Sequence, residues 1–210
     1  MGYASNTGTK RNLAALRLNS WGILLTPDNP KKREGLESAI DNGAWWAFQQ
    51  QKPFREKPFM DLVEQHGASA NFVVVPDIVA GGMKSLEFSL SWMPRLEGCR
   101  RLLLPVQDGM EVTTVVDVLH NAPQLGLFLG GSTEWKLKTM YQWGEVAANM
   151  ERYYHIGRVN TRRRIRLAHE AGADSFDGTS ATMFSCTLPM LEAARQQPSL
   201  FAPKGNHDDD

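Results

Sequence analysis

Residues 154–180 read YHIGRVNTRRRIRLAHEAGADSFDGTS. The apolar run at 153–156 predicts a strand, the following run at 161–171 predicts an amphipathic helix, and 174–176 predicts a second short strand. This order is typical of a repeating strand-helix unit in a parallel sheet. Asp177 comes directly after the second strand, which is where a barrel enzyme carries its catalytic groups.

The same alternation of short apolar runs and longer amphipathic runs extends along the chain. We predict strands at 2–5, 21–25, 38–41, 71–76, 101–106, 126–129, 153–156 and 174–176, and helices at 10–18, 58–66, 82–92, 112–120, 133–149, 161–171 and 183–197. Several of these helices begin beside a Ser or Thr suited to capping the first turn. The pattern predicts an α/β fold, a compact (β/α)8 TIM-type barrel. We expect one domain over residues 1–197 and a disordered tail over 198–210.

Composition limits the classes of protein to which this barrel can belong. The 210 residues are 42% hydrophobic and 22% charged, which suits one domain with a substantial core. The formal net charge is zero, so bulk charge does not require nucleic acid or a membrane surface as partner. Cys99 and Cys186 are isolated, and we predict neither a metal site nor a cofactor. The chain lacks a bilayer-spanning run and a signal peptide, which favours a soluble cytoplasmic protein with no membrane partner.

Polar or glycine residues follow five of the predicted strands, and three of these residues are aspartates, namely Asp41, Asp77 and Asp177. The carboxyl ends of barrel strands meet at one face, so three such aspartates would form an acidic pocket suited to glycosidic chemistry. Each segment also has a simpler interpretation as a turn, since Asn, Asp and Gly tolerate the backbone angles of turns. The recurrence at several strand ends is what favours a site.

At these residues the chain resembles the tRNA-guanine transglycosylases, the queuine tRNA-ribosyltransferase superfamily. Residues 154–157 and 172–177 are similar to the end of that family's barrel. In the same order upstream, Asp41-Asn42-Gly43 resembles the family's Asp-Ser-Gly-Gly, Pro76-Asp77 its substrate-binding aspartate, Val106-Gln107-Asp108-Gly109 its Val-Gln-Gly-Gly, and Leu129-Gly130-Gly131 its base-contacting glycines. The resemblance covers most of the chain, from about Asp41 to Ser180.

The chain departs from the tRNA enzymes in two respects. It lacks their zinc subdomain, which has three cysteines and a histidine after the nucleophile, and Gly178-Thr179-Ser180 replaces their Pro-Thr-Arg. Since the zinc subdomain helps to hold tRNA, a barrel without it more closely resembles the short branch in phages and bacteria that modifies DNA. That branch exchanges guanine for a 7-deazaguanine such as preQ0. The resemblance therefore implies DNA as the partner, with tRNA as the alternative.

The resemblance also implies the roles of individual residues. Asp177 would be the nucleophile that attacks C1′ as guanine leaves, and Asp41 would be the general base for the incoming deazaguanine. A carboxylate nucleophile gives net retention through a covalent glycosyl-enzyme. The substrate-binding residues implied are Asp77, Gln107, Gly130, Gly131 and Gly157.

A base in duplex DNA cannot enter such a pocket unless it is flipped out, which predicts cationic residues near the rim. Arg158, Arg162 and Lys136 lie near strand ends and are predicted to contact the nucleic acid. Trp45, Trp46 and Trp135 also follow strand ends, although core packing is favoured for them because large aromatic side chains are more often buried. His155 lies inside an apolar strand and is interpreted as a packed or hydrogen-bonded core residue.

Two other functions are compatible with the same residues. In an N-glycosidase or nucleoside hydrolase, water would resolve the covalent intermediate in place of a base. A non-catalytic nucleic-acid-binding subunit would have no need of Asp41, Asp77, Gln107 and Asp177 together, which disfavours it. The sequence is also compatible with a homodimer or with an accessory protein that engages the nucleic acid.

Overall fold

The computed structural model describes residues 1–5, 9–29, 35–180 and 188–196. Parallel strands close a barrel in chain order. They are β1 (Gly2–Ser5), β2 (Gly22–Leu25), β3 (Ser38–Ile40), β4 (Val73–Val74), β5 (Leu102–Val106), β6 (Leu125–Leu129), β7 (Tyr154–Ile156) and β8 (Ser175–Gly178). The barrel closes between β1 and β8, where Tyr3 is in register with Asp177. The predicted (β/α)8 barrel is confirmed.

Helices pack around the barrel wall. In the described ranges they are α1 (Lys10–Leu18), α2 (Ala44–Gln49), α3 (Glu56–His66), α4 (Met83–Trp92), α5 (Val112–Asn121), α6 (Thr133–Asn149), α7 (Arg162–Glu170) and α8 (Leu188–Gln196). The side chains of Thr9, Ser132 and Thr161 each accept a hydrogen bond from the backbone N–H three residues on, at 3.3 Å. The predicted capping is therefore confirmed for α1, α6 and α7.

The structure differs from the prediction at three elements. Helix α2 was not predicted, and its start is fixed by Asn42, whose side-chain oxygen accepts the N–H of Ala44 at 2.8 Å. Strand β4 is shorter than the predicted 71–76, and Pro76 has no N–H with which to extend the ladder at its carboxyl end. Strand β8 extends to Gly178, so Asp177 lies inside the strand and not after it. The start of the last predicted helix, 183–187, and the tail, 198–210, lie outside the described residues.

The barrel wall separates two apolar cores. The interior core contains Tyr3, Leu24, Ala39, Phe72, Val74 and Leu103. A larger core fills the space between the strands and the helices, and its biggest fully buried side chains include Trp21, Trp143 and Phe59. Because side chains alternate across a strand, every second strand residue faces the barrel axis. Among the residues that the structure describes, no helix has the length and apolar character needed to cross a membrane.

Candidate active site

A cavity of about 720 Å³ opens at the carboxyl end of the barrel. Its volume lies in the range of about 300–1,000 Å³ that is usual for small-molecule sites. Six of the predicted site residues contribute to its wall, namely Asp41, Asp77, Gln107, Gly131, Arg158 and Asp177. They belong to the ends of six different strands, so the barrel brings together residues that are far apart in the chain.

Asp177 lies in β8 and is only 8% exposed. Its two carboxylate oxygens each have a donor in the loop or strand next to it. The backbone N–H of Arg158 donates to Oδ1 at 3.1 Å, and Nε2 of His155 lies 3.0 Å from Oδ2. Two donors on opposite oxygens fix the plane of the carboxylate, so the direction in which it can meet a ligand is set by the protein.

Asp77 is clamped by two side-chain amides. Asn42 donates to Oδ1 at 2.8 Å, and Gln107 donates to Oδ2 at 3.1 Å. Burial raises the pKa of the Asp77 carboxyl to about 6, although these two hydrogen bonds oppose the rise. Each carboxylate oxygen keeps a further lone pair, so Asp77 can accept N–H groups from a ligand in the pocket.

Gln107 is itself held in place by a network behind the pocket. Its amide nitrogen also lies 2.7 Å from the hydroxyl oxygen of Ser85 and 3.0 Å from the carbonyl oxygen of Ile78, so its two hydrogens are shared among these acceptors and Asp77. Ser85 in turn accepts the backbone N–H of Ile78 at 3.0 Å. The network determines the orientation of the amide, so the position of Gln107 in the wall is set before any ligand arrives.

Asp41 follows β3 and reaches the cavity while protein surrounds most of its side chain. Burial raises the pKa of its carboxyl to about 7, and the nearby charges of Asp177 and Asp77 raise it further than burial alone would. Backbone N–H groups of Asn42 and Gly43 donate to this carboxylate and oppose the rise. A carboxyl group that titrates near neutral pH can both give and take a proton, which is the property of a general acid-base residue.

Arg158 supplies the positive charge facing these acids. Its φ of +59° is in the left-handed region, and this conformation is compatible with the backbone N–H bond to Asp177. The guanidinium group lies 3.8 Å from the ring centre of Trp45 and donates to the carbonyl of Gly131. Arg158 therefore lies in the pocket wall, and contact with a nucleic acid remains a prediction for it.

The other two predicted nucleic-acid contacts have opposite environments. Arg162 is exposed at the first residue of α7, where it is accessible to a phosphate. Lys136 is only 4% exposed, and its ammonium group donates to the carbonyl of Gly157. Burial lowers the pKa of Lys136 to about 7, with the charge of Arg158 acting in the same direction. The prediction for Lys136 is corrected: it supports the turn after β7 from behind.

The three glycines predicted to bind substrate also differ. Gly131 lines the cavity at a φ of +73°, and a Cβ there would overlap the carboxylate of Asp108. The N–H of Gly130 donates to the carbonyl of Val106 at 2.9 Å. That amide is part of the sheet, so the prediction that it faces a base is wrong.

Gly157 has a packing reason to be glycine. A Cβ at this position would lie 2.6 Å from the ring of Phe128 and 3.4 Å from Oδ2 of Asp177. Its N–H donates to the carbonyl of Leu129 at 3.1 Å. Gly157 therefore lets the chain pass close behind Asp177 and is not among the residues that line the cavity.

One exposed aromatic side chain of α2 belongs to the pocket wall, and a second packs against it. Trp45 is 36% exposed and lines the cavity, and Phe48 is 53% exposed. Their rings stack with centres 5.8 Å apart and planes 28° apart. The expected core packing is therefore wrong for Trp45, whereas Trp135 does pack against the outer core.

The fold and the site define a class: a (β/α)8 barrel whose pocket brings Asp41, Asp77 and Asp177 together with Gln107 and Arg158. No protein-family model matches the chain, and no curated protein matches it in sequence. Over the ranges of the chain described above, no group of three or more His, Cys, Asp or Glu side chains is arranged to hold a metal ion.

Proposed function

We propose that the protein is a base-exchange transglycosylase that replaces guanine in DNA with a 7-deazaguanine such as preQ0, with tRNA as the alternative polymer. The observation that carries the proposal is the convergence of Asp41, Asp77, Gln107 and Asp177 on one cavity. These are the residues to which the resemblance to the tRNA-guanine transglycosylases assigns the chemistry and the recognition of the base.

In the first step, a carboxylate oxygen of Asp177 forms a bond to C1′ of the nucleotide while the bond from C1′ to N9 of guanine breaks. The departing base takes the electron pair of that bond and needs a proton. Asp41, with a pKa of about 7, is protonated in a substantial fraction of molecules at neutral pH and can supply it. The result is a covalent glycosyl-enzyme and free guanine.

In the second step, the incoming deazaguanine loses its ring N–H proton to Asp41, and its nitrogen attacks C1′. The bond between C1′ and Asp177 breaks, and the electron pair returns to the carboxylate. Two displacements at the same carbon give net retention. The proton balance closes, because Asp41 gives one proton in the first step and recovers one in the second.

Recognition of the base falls to Asp77 and Gln107 in this proposal. A guanine presents N–H groups on its Watson-Crick edge and a carbonyl oxygen beside them. The carboxylate of Asp77 is an acceptor held by two amides, and the carboxamide of Gln107 is next to it. Asp77 and the side-chain oxygen of Gln107 supply acceptors for the N–H groups of a guanine or a deazaguanine, because the amide hydrogens of Gln107 are already used within the protein.

The mouth of the pocket supports a flipped or single-stranded nucleotide as substrate. Arg158 covers one face of the Trp45 ring, and the remaining exposed parts of Trp45 and Phe48 offer a surface on which a neighbouring base can stack. Arg162 is exposed at the start of α7. Both Arg158 and α7 come after the carboxyl end of β7. Aromatic faces beside cationic side chains are the usual components of a surface that binds single-stranded nucleic acid.

The test is to incubate the protein with DNA and, separately, with tRNA, each labelled in guanine, with and without preQ0, and to analyse the nucleosides by mass spectrometry. Asp177→Asn removes the nucleophile with almost no change of shape, and Asp61→Asn, on the exposed face of α3, is the matched control. We expect guanine release and deazaguanine incorporation that Asp177→Asn abolishes and Asp61→Asn retains.

The other results would change the assignment in defined ways. Guanine release without incorporation would identify an N-glycosidase. A folded wild-type protein that releases no guanine from either polymer would refute the proposed function.

A further inference from the structure

A chain of hydrogen bonds runs through the barrel interior and ends on Asp177. The hydroxyl of Tyr153 lies 2.9 Å from the hydroxyl of Ser175, and Ser175 lies 2.7 Å from Nδ1 of His155. Nε2 of His155 then lies 3.0 Å from Oδ2 of Asp177. Both His155 and Ser175 are completely buried. Polar groups at this depth are costly unless they are paired, and here each of them has a partner.

The position of each hydrogen in this series of hydrogen bonds follows from the groups at its two ends, Asp177 and Tyr153. Burial lowers the pKa of His155, although its contact with Asp177 opposes the shift, so the ring is neutral at neutral pH and has one N–H. A carboxylate has no hydrogen to give, so Nε2 must donate to Asp177 and Nδ1 must accept from Ser175. The hydroxyl of Ser175 then accepts from Tyr153, whose pKa is raised by burial and which keeps its hydrogen.

Aromatic neighbours hold the ring of His155 in this orientation. The ring of Phe128 stacks on it with centres 5.2 Å apart and planes 15° apart. Phe72 packs against it at 4.8 Å with a tilt of 55°. With rings on these sides and Ser175 on its Nδ1 edge, the imidazole has one orientation that satisfies both nitrogens. The direction of the N–H toward Asp177 is therefore fixed by the barrel core.

We propose that His155 is the positioning residue for Asp177, and that Ser175 and Tyr153 hold the His155 ring with its Nε2–H directed at that carboxylate. The inference rests on the proposed function, because it assigns a task to the same carboxylate. His155 lies deeper in the barrel than Asp177, so it binds the oxygen that faces the interior and leaves Oδ1 for the sugar. Arg158 holds Oδ1 through one backbone N–H, which leaves another lone pair of that oxygen for C1′.

The same arrangement contributes to both displacements. When Oδ1 bonds to C1′, Oδ2 becomes the carbonyl oxygen of the ester and still accepts the N–H of His155. When the second base displaces the ester, the electron pair returns to the carboxylate, and the N–H stabilises the charge on Oδ2 as it develops. No proton leaves His155 in either step, so His155 acts through Asp177 and not as an acid or base.

The tautomer can be tested on the free protein by NMR of ¹⁵N-labelled histidine, with His155→Gln identifying the His155 signals by their loss. We expect the Nε2–H tautomer in the wild type. In Ser175→Ala the carboxylate of Asp177 still requires hydrogen on Nε2, so we expect the same tautomer with an Nδ1 resonance shifted by the loss of its hydrogen bond, and in Tyr153→Phe a smaller shift. A wild-type ring with hydrogen on Nδ1 or on both nitrogens at neutral pH would overturn the proposal, as would an Nδ1 resonance that is unchanged in Ser175→Ala.

The effect of the His155 N–H donor on the reaction is tested by base-exchange kinetics of His155→Leu and His155→Gln. Each variant is first shown to be folded by its thermal unfolding. Loss of the donor is expected to lower kcat about 100-fold in His155→Leu, with KM changed less than about 3-fold, because misplacing a reacting group costs about that factor. The amide N–H of His155→Gln should restore kcat to within about 10-fold of the wild type.

The two kinetic variants separate positioning from packing. Equal losses of kcat in both variants would show that the ring only fills space and would overturn the proposal. If the proposed function itself is wrong, the wild type will be inactive in base exchange. The NMR measurement does not depend on that activity and still tests the tautomer of His155.

Discussion

Replacing Asp41 with Asn is expected to remove much of the pH dependence of the unfolding free energy between pH 4 and 7. Burial and the neighbouring carboxylates raise the pKa of Asp41 from 3.8 to about 7 in the folded protein. Between these values the folded state holds a proton that the unfolded state has released. The stabilisation from this group is therefore complete below about pH 4 and is lost as the pH rises to about 7.

The size of the effect follows from the difference between the two pKa values. About three pH units at about 1.4 kcal/mol each give an upper value of about 4 kcal/mol. Roughly two thirds of this lies above pH 5, and contact with solvent in the cavity weakens it further. Between pH 5 and pH 8, the wild type should therefore lose about 2 kcal/mol more stability than Asp41→Asn.

Urea unfolding at pH 5 and pH 8, followed by tryptophan fluorescence, measures this difference directly. The control is Asp117→Asn, on the exposed face of α5, where a surface substitution should change the unfolding free energy by less than about 0.5 kcal/mol at either pH. If the fall in stability from pH 5 to pH 8 is the same in Asp41→Asn as in the wild type, the Asp41 carboxyl does not titrate near pH 7. Its assignment as the proton-transfer residue would then be refuted with it.

Three further predictions concern nucleic-acid binding and are measured by fluorescence anisotropy of a labelled single-stranded oligonucleotide. Trp45→Ala should raise Kd about 10-fold, because stacking of a base on an aromatic ring contributes about 1–3 kcal/mol, whereas Trp135→Ala should mainly lower Tm; an unchanged Kd in Trp45→Ala would reject the stacking surface. Arg162→Ala should reduce the slope of log K against log salt by about 1. Lys136→Met should leave this slope unchanged and cost about 1–3 kcal/mol of stability by removing the partner of the Gly157 carbonyl; a reduced slope would show that Lys136 reaches phosphate.

The barrel could be predicted because its strands and caps are local features. The bounds of β1, α1 and α6 agree with the prediction, since an apolar run or a capped amphipathic run defines each of them. Helix α2 could not be found in the same way. It has only six residues, two of them adjacent tryptophans, and this is too short for a helical period to appear.

The site residues that lie at strand ends could be predicted from the sequence. The rule that catalytic groups follow barrel strands placed Asp41, Asp77, Gln107 and Asp177 together. It could not place Lys136, because the face of α6 that packs on the barrel depends on tertiary contacts. Nor could it show that the N–H of Gly130 is used by the sheet, which depends on the register of β5 and β6.

The contact between His155 and Asp177 could have been predicted from the order of residues in β7 and β8. His155 lies two residues before Gly157, and Ser175 lies two residues before Asp177. Side chains two residues apart in a strand share a face, so Ser175 and Asp177 point to the same side of the sheet. A histidine and a serine on the interior faces of consecutive strands are unusual in a core of apolar side chains. Such residues need partners, and the nearest polar group along β8 is the carboxylate of Asp177.

The three carboxylates of the pocket differ in their neighbours, and the neighbours suit them to different tasks. Asp77 has an amide on each oxygen, which favours a fixed acceptor for a ligand. Asp177 receives directed donors from His155 and from the backbone of Arg158, which suits a group that must present one oxygen to carbon. Asp41 titrates near pH 7 because it is buried beside the other two charges. Of Asp41 and Asp77, Asp41 has the pKa nearer to neutral pH, so the proposed mechanism assigns proton transfer to Asp41 and the covalent bond to Asp177.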